Sequence, residues 1–340
     1  MRKRLKVLQV FDMPYATPRG HDFAEEFADE EHMYTERDVC EALRTSGHEV
    51  RLLGLCRDIR PLLDEVEAFR PDVVFNLAEV FNQQRHLDKN IAAVLEMLGV
   101  PYTGASSGSL FLCNDKALAK KILRFHRVRV PRFQVYPPGR RVWRPRMLKL
   151  PCVVKPLTEE ASRGISSASV VDSDEALLER IRFIHQRMHL DAIAEEYIEG
   201  RELYVTVLGY KRISVLPARE MKFGQLPEEE PRIATYKAKW DDAYRSRWGI
   251  KSVFAGKLPE GAERRLAEVC KRAYRALNIE SYARFDLRLT PAGQVVVLEP
   301  NANPCVAKID EMAQSAEKVG VSYPALIEKI VRLALIRAGR

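Results

Sequence analysis

No stretch of this 340-residue chain approaches the roughly 18 to 20 consecutive apolar residues that a bilayer-crossing helix needs, so no segment reads as a transmembrane helix. The basic N-terminus is followed by Val7 to Phe11, too short for the core of an export signal, and Asp12 comes at once. The six cysteines (40, 56, 113, 152, 270 and 305) lie far apart with no CxxC pair. That spacing removes zinc-ribbon and disulfide-scaffold readings and leaves reduced thiols in a cytoplasm as the expectation. Glycine and proline, at 17 and 19 residues, are present in ordinary numbers, though no glycine occurs between Gly54 and Gly99. No GxGxxG follows the first strand and no GxxxxGK[ST] occurs, which excludes the dinucleotide fingerprint and the P-loop. With 46% apolar residues the chain can bury a core. Its length suggests roughly two to three domains at ~150 residues each.

Basic residues outnumber acidic ones 55 to 47, a net charge of +8. The excess is local: residues 120–149 hold eleven Lys or Arg and no acid, and the rest of the chain is slightly acidic. We read this segment as a solvated face beside a site for a small anion. No aromatic-interleaved or zinc-finger pattern accompanies it, so a nucleic-acid partner is disfavoured.

Along the first hundred residues apolar strands (5–11, 50–55, 72–77) alternate with helical periodicity (35–46, 87–98), the pattern of an open parallel sheet covered on both faces. From about residue 114 the texture changes. A helix over 115–126 leads through a Pro- and Arg-rich stretch to a strand at 152–156. A strand near 166–171, a helix over 174–188 and a strand at 192–198 follow, giving a small α+β lobe. The last third begins with strands at 202–208 and 213–219. A charged stretch over about 223–251 with little periodicity reads as a long functional loop. A helix at 260–277, a hairpin, and helices at 310–319 and 323–336 end the chain.

The hairpin carries the chemistry. A four-residue loop at Thr290–Gly293 predicts that 289 faces 294, 286 faces 297 and 284 faces 299. Arg284, Asp286 and Glu299 then share one face, with Asp286 and Glu299 as diagonal neighbours within reach of a common ion and Asn301 two residues on. Oxygen-only ligands of this kind suit Mg²⁺ bridging phosphates. An exposed hairpin of alternating charge shows the same pattern. Two lysines on fixed elements tip the balance toward a nucleoside-triphosphate site: Lys155 ends an apolar strand and Lys116 begins a helix.

Several ordered runs extend this reading: Leu95–Gly104, Asn114-Asp-Lys116 to Lys120, Val153-Val-Lys155-Pro156, Glu195 to Glu202, Ala283-Arg-Phe-Asp286 and Leu298-Glu-Pro-Asn-Ala-Asn-Pro304. In order and spacing, from about residue 70 onward, the sequence resembles the ATP-grasp carboxylate–amine ligases, most closely the D-alanine–D-alanine ligase branch. The resemblance implies an ATP-grasp fold of three parts. These are an N-terminal α/β domain at 1–113, a central small α+β lobe at 114–200 and a C-terminal lobe with the metal site at 201–340. It further implies ATP and Mg²⁺ (or Mn²⁺) as cofactors and an acylphosphate formed from a carboxylate. Lys116 and Lys155 would contact phosphates, Glu195 and the backbone near Ile198 the adenine, and Glu202 the ribose. Asp286, Glu299 and Asn301 would ligate metal. Arg284 would stabilise the transferring phosphoryl group and the tetrahedral intermediate, and Lys239 would reach the γ-phosphate. The loop 158–166, with Ser162 and Gly164, and the stretch 223–250 would close as lids. Amino-acid or dipeptide substrates and a homodimer through the N-terminal domain complete the implication.

The departures from the family pattern lie in the substrate half. Asn76-Leu-Ala-Glu79 stands where a His-Gly and a Gly-Glu-Asp-Gly element are expected, Ala161 replaces a serine and Trp240 a tyrosine. Asp310-Glu311 falls where a Ser-Leu pair would receive the acceptor carboxylate, and two carboxylates there predict a cationic or uncharged group instead. The acid that orients the amine corresponds to Glu30 or Glu31. His185 and His189, at i and i+4, have no third zinc ligand and read as a helix end; Trp143 and Trp248 read as packing. Two alternatives stand beside an amino-acid ligase. One is a ligase for a larger peptide or polyanionic acceptor, and the other an ATP-binding homologue without catalysis.

Overall fold

The computed structural model describes residues 4–29, 32–159 and 161–340. Strand β1 (Lys6–Asp12) leads through α1 (Ala24–Ala28) and α2 (Tyr34–Thr45) to β2 (Glu49–Leu55), then through α3 (Arg60–Phe69) to β3 (Val73–Asn76). The strands are parallel in the order β2–β1–β3. Helices α4 (Asp88–Met97), α5 (Ser107–Asn114) and α6 (Lys116–Phe125) follow. Alternation along β1 divides its side chains between two cores: Leu8 and Val10 pack with Leu62, Ile91 and Leu95, and Val7 with Val39 and Leu43. Helices α3 and α5 were not anticipated. The apolar residues of α3 are interrupted by acids, and those of α5 by Ser107, Gly108 and Ser109.

Strands β4 (Phe133–Tyr136), β5 (Cys152–Pro156) and β6 (Val170–Val171), helix α7 (Asp174–Phe183) and strand β7 (Ala192–Glu196) build the small lobe. Its antiparallel sheet runs β4–β7–β5–β6. The strand expected at 166–171 is confined to two residues, because Ser166 and Ser169 cap each other reciprocally in a short 3₁₀ turn. Helix α7 ends early in one wide turn, Ile184–Met188, where a His185 ring nitrogen lies 2.8 Å from the Tyr136 carbonyl. Val154, Ala192 and Ala194 face α7, whereas Val153, Lys155, Ile193 and Glu195 point the other way.

The third sheet contains β8 (Arg201–Gly209), β9 (Ile213–Val215), β10 (Arg219–Lys222), β11 (Lys251–Phe254), β12 (Ser281–Leu289) and β13 (Val295–Ala302). Its order is β11–β10–β8–β12–β13, with β9 on β8. The single strand expected at 213–219 is two, since Pro217 between them cannot donate to a ladder. The long loop expected at 223–251 is corrected more fully: it folds as α8 (Tyr236–Trp240) and α9 (Asp242–Trp248), capped by the Thr235 and Asp241 side chains. These pack Ala238, Ile250 and Trp248 on Tyr204 and Met221. Helices this short carry too little periodicity to register in a sequence window.

Helix α10 (Ala262–Ala276) covers one face of this sheet, setting Leu266, Cys270 and Ala273 against Leu203, Val205, Phe285, Leu287 and Val297. Helices α11 (Glu311–Lys318) and α12 (Tyr323–Arg337) return to the N-terminal sheet, where Ile327 and Val331 join Val7, Val39 and Phe75. The opposite face of the large sheet is left to the small lobe, and the cleft lies there.

Gly200, at the start of β8, has φ +137°, and a Cβ on it would sit 2.2 Å from the Leu289 carbonyl oxygen. Its own carbonyl accepts from Arg288 Nη1 at 2.8 Å. Gly200→Ala should cost about 1–3 kcal/mol, read as a lowered urea midpoint at unchanged slope.

Candidate functional site

Strand pairing assembles the site. Arg284 lies opposite Asn301 and Asp286 opposite Glu299, whereas beyond a bulge Leu287 pairs with Val297 and Leu289 with Val295. The expected register is therefore corrected twice. The turn is one residue longer than a four-residue loop allows, and Leu298 is an extra residue in β13. The two single-residue shifts add to an even number, so Arg284, Asp286, Glu299 and Asn301 keep a common face. The two carboxylates become direct rather than diagonal neighbours. The bulge also turns the Leu298 carbonyl out of the ladder, and it accepts from Lys120 Nζ at 2.7 Å.

Further strands widen this face. Tyr204 lies opposite Asp286, Glu202 opposite Arg288 and Arg219 opposite Tyr204, so Arg219, Tyr204, Asp286 and Glu299 form one row across four strands. Glu202 accepts from Arg288 Nη2 at 2.6 Å and from the Tyr204 hydroxyl at 3.0 Å.

Three lysines enter from the other side, Lys116 and Lys120 buried and Lys155 partly so. Asp115 caps α6 by accepting from Ala117 N and Leu118 N, which fixes Lys116 in the first turn. A cation there opposes the helix dipole, and Glu299, 3.0 Å away, offsets the conflict. One turn on, Lys120 lies 2.8 Å from Glu195 Oε1, and Lys155 lies 3.0 Å from Glu195 Oε2. Burial pushes Glu299 up, but Lys116, Lys155 and Lys120 together outweigh it and hold its carboxyl at about 2. The same competition between burial and the lysines leaves Glu195 below the usual carboxylate range. Burial dominates at Lys120 and pulls its ammonium down; at Lys155 the attraction of Glu195 and Glu299 prevails and raises it. The reading of 120–149 as a solvated face is thus corrected at Lys120, which is 1% exposed. Its signal was the i, i+4 spacing from Lys116, which puts both ammoniums on one helix face.

Asp286 accepts from Arg284 Nε at 2.8 Å and from Asn301 Nδ2 at 3.0 Å, with Lys239 Nζ 3.8 Å away. Burial raises its carboxyl against the pull of Arg284 and Lys239. Asp286, Glu299 and Asn301 converge as an oxygen-bearing set that fits a hard divalent cation, although the Asn301 amide must turn to present its oxygen. Arg284 is shared between Asp286 and Glu311, 3.5 Å from the latter, and lies with Lys239 over the Tyr204 ring.

The two expected lids meet. The Ser162 hydroxyl donates to the Ala234 carbonyl at 2.7 Å, the Tyr236 amide to the Ile165 carbonyl at 3.0 Å and the Trp240 indole to the Ala161 carbonyl at 3.0 Å. Ala161 and Ser162 both have positive φ, which turns the loop toward its partner. Beneath it lies a cleft of about 590 Å³ lined by Lys155, Glu195, Ile198, Glu202, Lys239, Asp286 and Glu299. All the sequence-predicted residues except Lys116, Arg284 and Asn301 thus line one cleft, and those three adjoin it through Glu299 and Asp286. An open cavity of about 1640 Å³ continues past Arg284 to Glu79, Asp310 and Arg219.

Asn76 ends β3 with its side chain accepting from Ala78 N, and Asp12 accepts from Glu79 N at 2.8 Å. The segment 76–79 therefore sits at the carboxyl ends of the parallel strands, where open sheets bind ligands. Glu30 and Glu31 lie outside the described residues. The expectation of two free carboxylates at 310–311 is modified, because Glu311 is paired with Arg284 and Asp310 is raised by burial. Arg288 and Tyr204 were missed; Arg288 continues the i, i+2 alternation of Arg284 and Asp286, while Tyr204 gives no signal without strand pairing.

A small antiparallel sheet closing on one face of a larger one, with Lys116 of α6 meeting Glu299 of the large sheet and Lys120 and Lys155 meeting Glu195 of the small one, is the arrangement of the ATP-grasp class. The family described as D-ala D-ala ligase C-terminus matches residues 143–332. The Sinorhizobium fredii protein y4sG is 34% identical, with 87% of this chain and 86% of that protein covered. A D-alanine–D-alanine ligase of Desulforudis audaxviator is 30% identical over 88% of this chain and 92% of its own length. The D-alanine–D-alanine ligase of Bacillus anthracis complexed with ATP shares the fold with a TM-score of 0.75 at 20% identity, covering 98% and 99% of the two chains. This chain belongs to the D-alanine–D-alanine ligase family.

Two outcomes test the charge array. Lys120→Met leaves Glu195 with one buried partner and should cost about 3–5 kcal/mol in urea unfolding. Glu299 sits near 2 when folded, against an unfolded value of ~4.3, so its contribution is complete above the unfolded value and fades as pH falls toward 2. Glu299→Gln should flatten the loss of stability between pH 5 and 3, measured as urea midpoints.

Proposed function

We propose that this chain is an ADP-forming, ATP-dependent ligase of the D-alanine–D-alanine type, joining the carboxylate of one amino acid or short peptide to the amine of another. Its family membership and the contiguous row of Lys116, Glu299, Asp286 and Arg284 support this reading. The row is the observation that carries it. A carboxylate is a poor electrophile. Its oxygen attacks the γ-phosphorus of ATP, ADP leaves, and the mixed anhydride is then attacked by an amine, which loses a proton as phosphate departs. Both steps develop negative charge on oxygen, which preorganised cations stabilise without rearrangement.

In this reading Lys116 and Lys155 hold the phosphates. Glu195 and the backbone at Ile198 hold the adenine, and Glu202, fixed by Arg288, takes the ribose hydroxyls. Glu195 has a second task, separating and charging Lys120 and Lys155. Asp286, Glu299 and Asn301 would hold Mg²⁺ or Mn²⁺, which supplies Lewis-acid neutralisation of the phosphates. Arg284 stabilises the oxyanion and Lys239 reaches the γ-phosphate from the lid. Ser162 locks the lid through the Ala234 carbonyl and so excludes water from the anhydride. The three-part division at 113 and 200, a homodimer through the first part and a cytoplasmic site belong to the same proposal. Among the described residues no helix is long and apolar enough to cross a membrane.

The test is ADP release with Mg²⁺ and ATP across amino acids, pairs and dipeptides, D-alanine alone included. Arg284→Met should lower kcat by about 10²–10³-fold. Glu299→Gln should abolish turnover while circular dichroism shows an intact fold. Absence of Glu299-dependent ADP release with every pair would sink the reading.

A further inference from the structure

Every buried ionisable side chain among the described residues that carries a permanent or near-permanent charge has an opposite charge beside it, with one exception. Lys116, Lys120, Glu195, Glu202, Glu220, Asp286, Arg288 and Glu328 are all ion-paired. Arg219 is 7% exposed and has no carboxylate within ion-pair distance. Its Nη2 donates to the Ser252 carbonyl at 2.7 Å and approaches the Ser252 hydroxyl at 3.4 Å, its plane covers the Phe254 ring at 4.5 Å, and its Nε has no partner. It lines the open cavity that Arg284 and Lys239 also line, and Arg245 on the same cavity has an unpartnered Nε as well. A guanidinium cannot shed its proton, and burying an ion that has no ion-pair partner and feels Glu311 only at longer range is costly. A guanidinium that lines a cavity and keeps its Nε unpartnered has a donor to spare for a carboxylate.

Position narrows the choice of anion. Arg219 stands two strands from Asp286 with Tyr204 between them, so the two backbones are ~10 Å apart. That offset separates it from the metal-binding carboxylates. Amide formation consumes the carboxylate of one substrate at Arg284 and leaves the carboxylate of the other, the amine donor, intact and in need of a counter-charge. At 310–311, by contrast, the wall is acidic.

Resting on the ligase reading above, we propose that Arg219 is a specificity-determining residue that grips the free carboxylate of the amine-bearing substrate. The experiment uses the full chain and the acceptor that gives the strongest Glu299-dependent ADP release, beside the carboxamide of that same acceptor. Arg219→Met should raise KM for the acid at least tenfold and leave kcat/KM for the carboxamide and KM for ATP within twofold of wild type. Arg219→Lys, which keeps a point charge, should retain most of the preference for acid over amide, and it serves if the methionine variant does not fold. Equal shifts for acid and carboxamide, or an unchanged KM for the acid while wild-type turnover is intact, overturn the anchor and leave the ligase reading standing. Wild-type protein with no Glu299-dependent ADP release on any pair removes the ligase reading and the anchor with it.

Discussion

Three lysines gathered about two carboxylates are the constraint from which the site follows. Lys116 and Lys120 are buried and Lys155 largely so, and in a low dielectric like charges repel one another. Glu195 stands between Lys120 and Lys155 and Glu299 beside Lys116, so each ammonium has a carboxylate within 3.0 Å. The two carboxylates come from different sheets, so the same contacts fix how the small lobe sits on the large one. A nucleotide's phosphates would enter a field already built to receive negative charge, with little reorganisation.

A sheet whose two faces have opposite chemistry makes this arrangement affordable. Leu203, Val205, Phe285, Leu287 and Val297 meet α10 in an apolar core, while Glu202, Tyr204, Asp286, Arg288 and Glu299 stand on the reverse face. Strict alternation produces this division along β8 and β12. In β13 the bulge at Leu298 is what lets Val297 face the core and Glu299 the cleft, although the two are only two residues apart. The freed carbonyl is used at once, as an acceptor for Lys120.

The lids follow the same economy of backbone groups. Carbonyls of Ala234, Ile165 and Ala161 accept from the facing segment, so closure needs little side-chain matching. Ala161 and Trp240 depart from the family pattern, and they nevertheless join the lids through the Ala161 backbone and the Trp240 indole. The substrate side of the cavity differs in kind, since Arg284 divides its charge between Asp286 and Glu311.

Element types over the long periodic stretches were legible from the sequence, as was the common face of Arg284, Asp286, Glu299 and Asn301. Each depends on local alternation or on residue order, which the chain carries without reference to its partners. Short helices such as α8 and α9, the split at Pro217 and the true hairpin register were not legible, because each is set by packing or by a single bulge. Lys120 shows the division most clearly. Its spacing from Lys116 is local and visible, but its burial depends on Glu195 and the Leu298 carbonyl, 75 and 178 residues away. The sequence by itself determined which charges are available and on which face of each element they stand. Only the tertiary structure decided which of them are paired, because a charge is compensated by whatever neighbour folding brings within a few ångströms, and chain order says nothing about that.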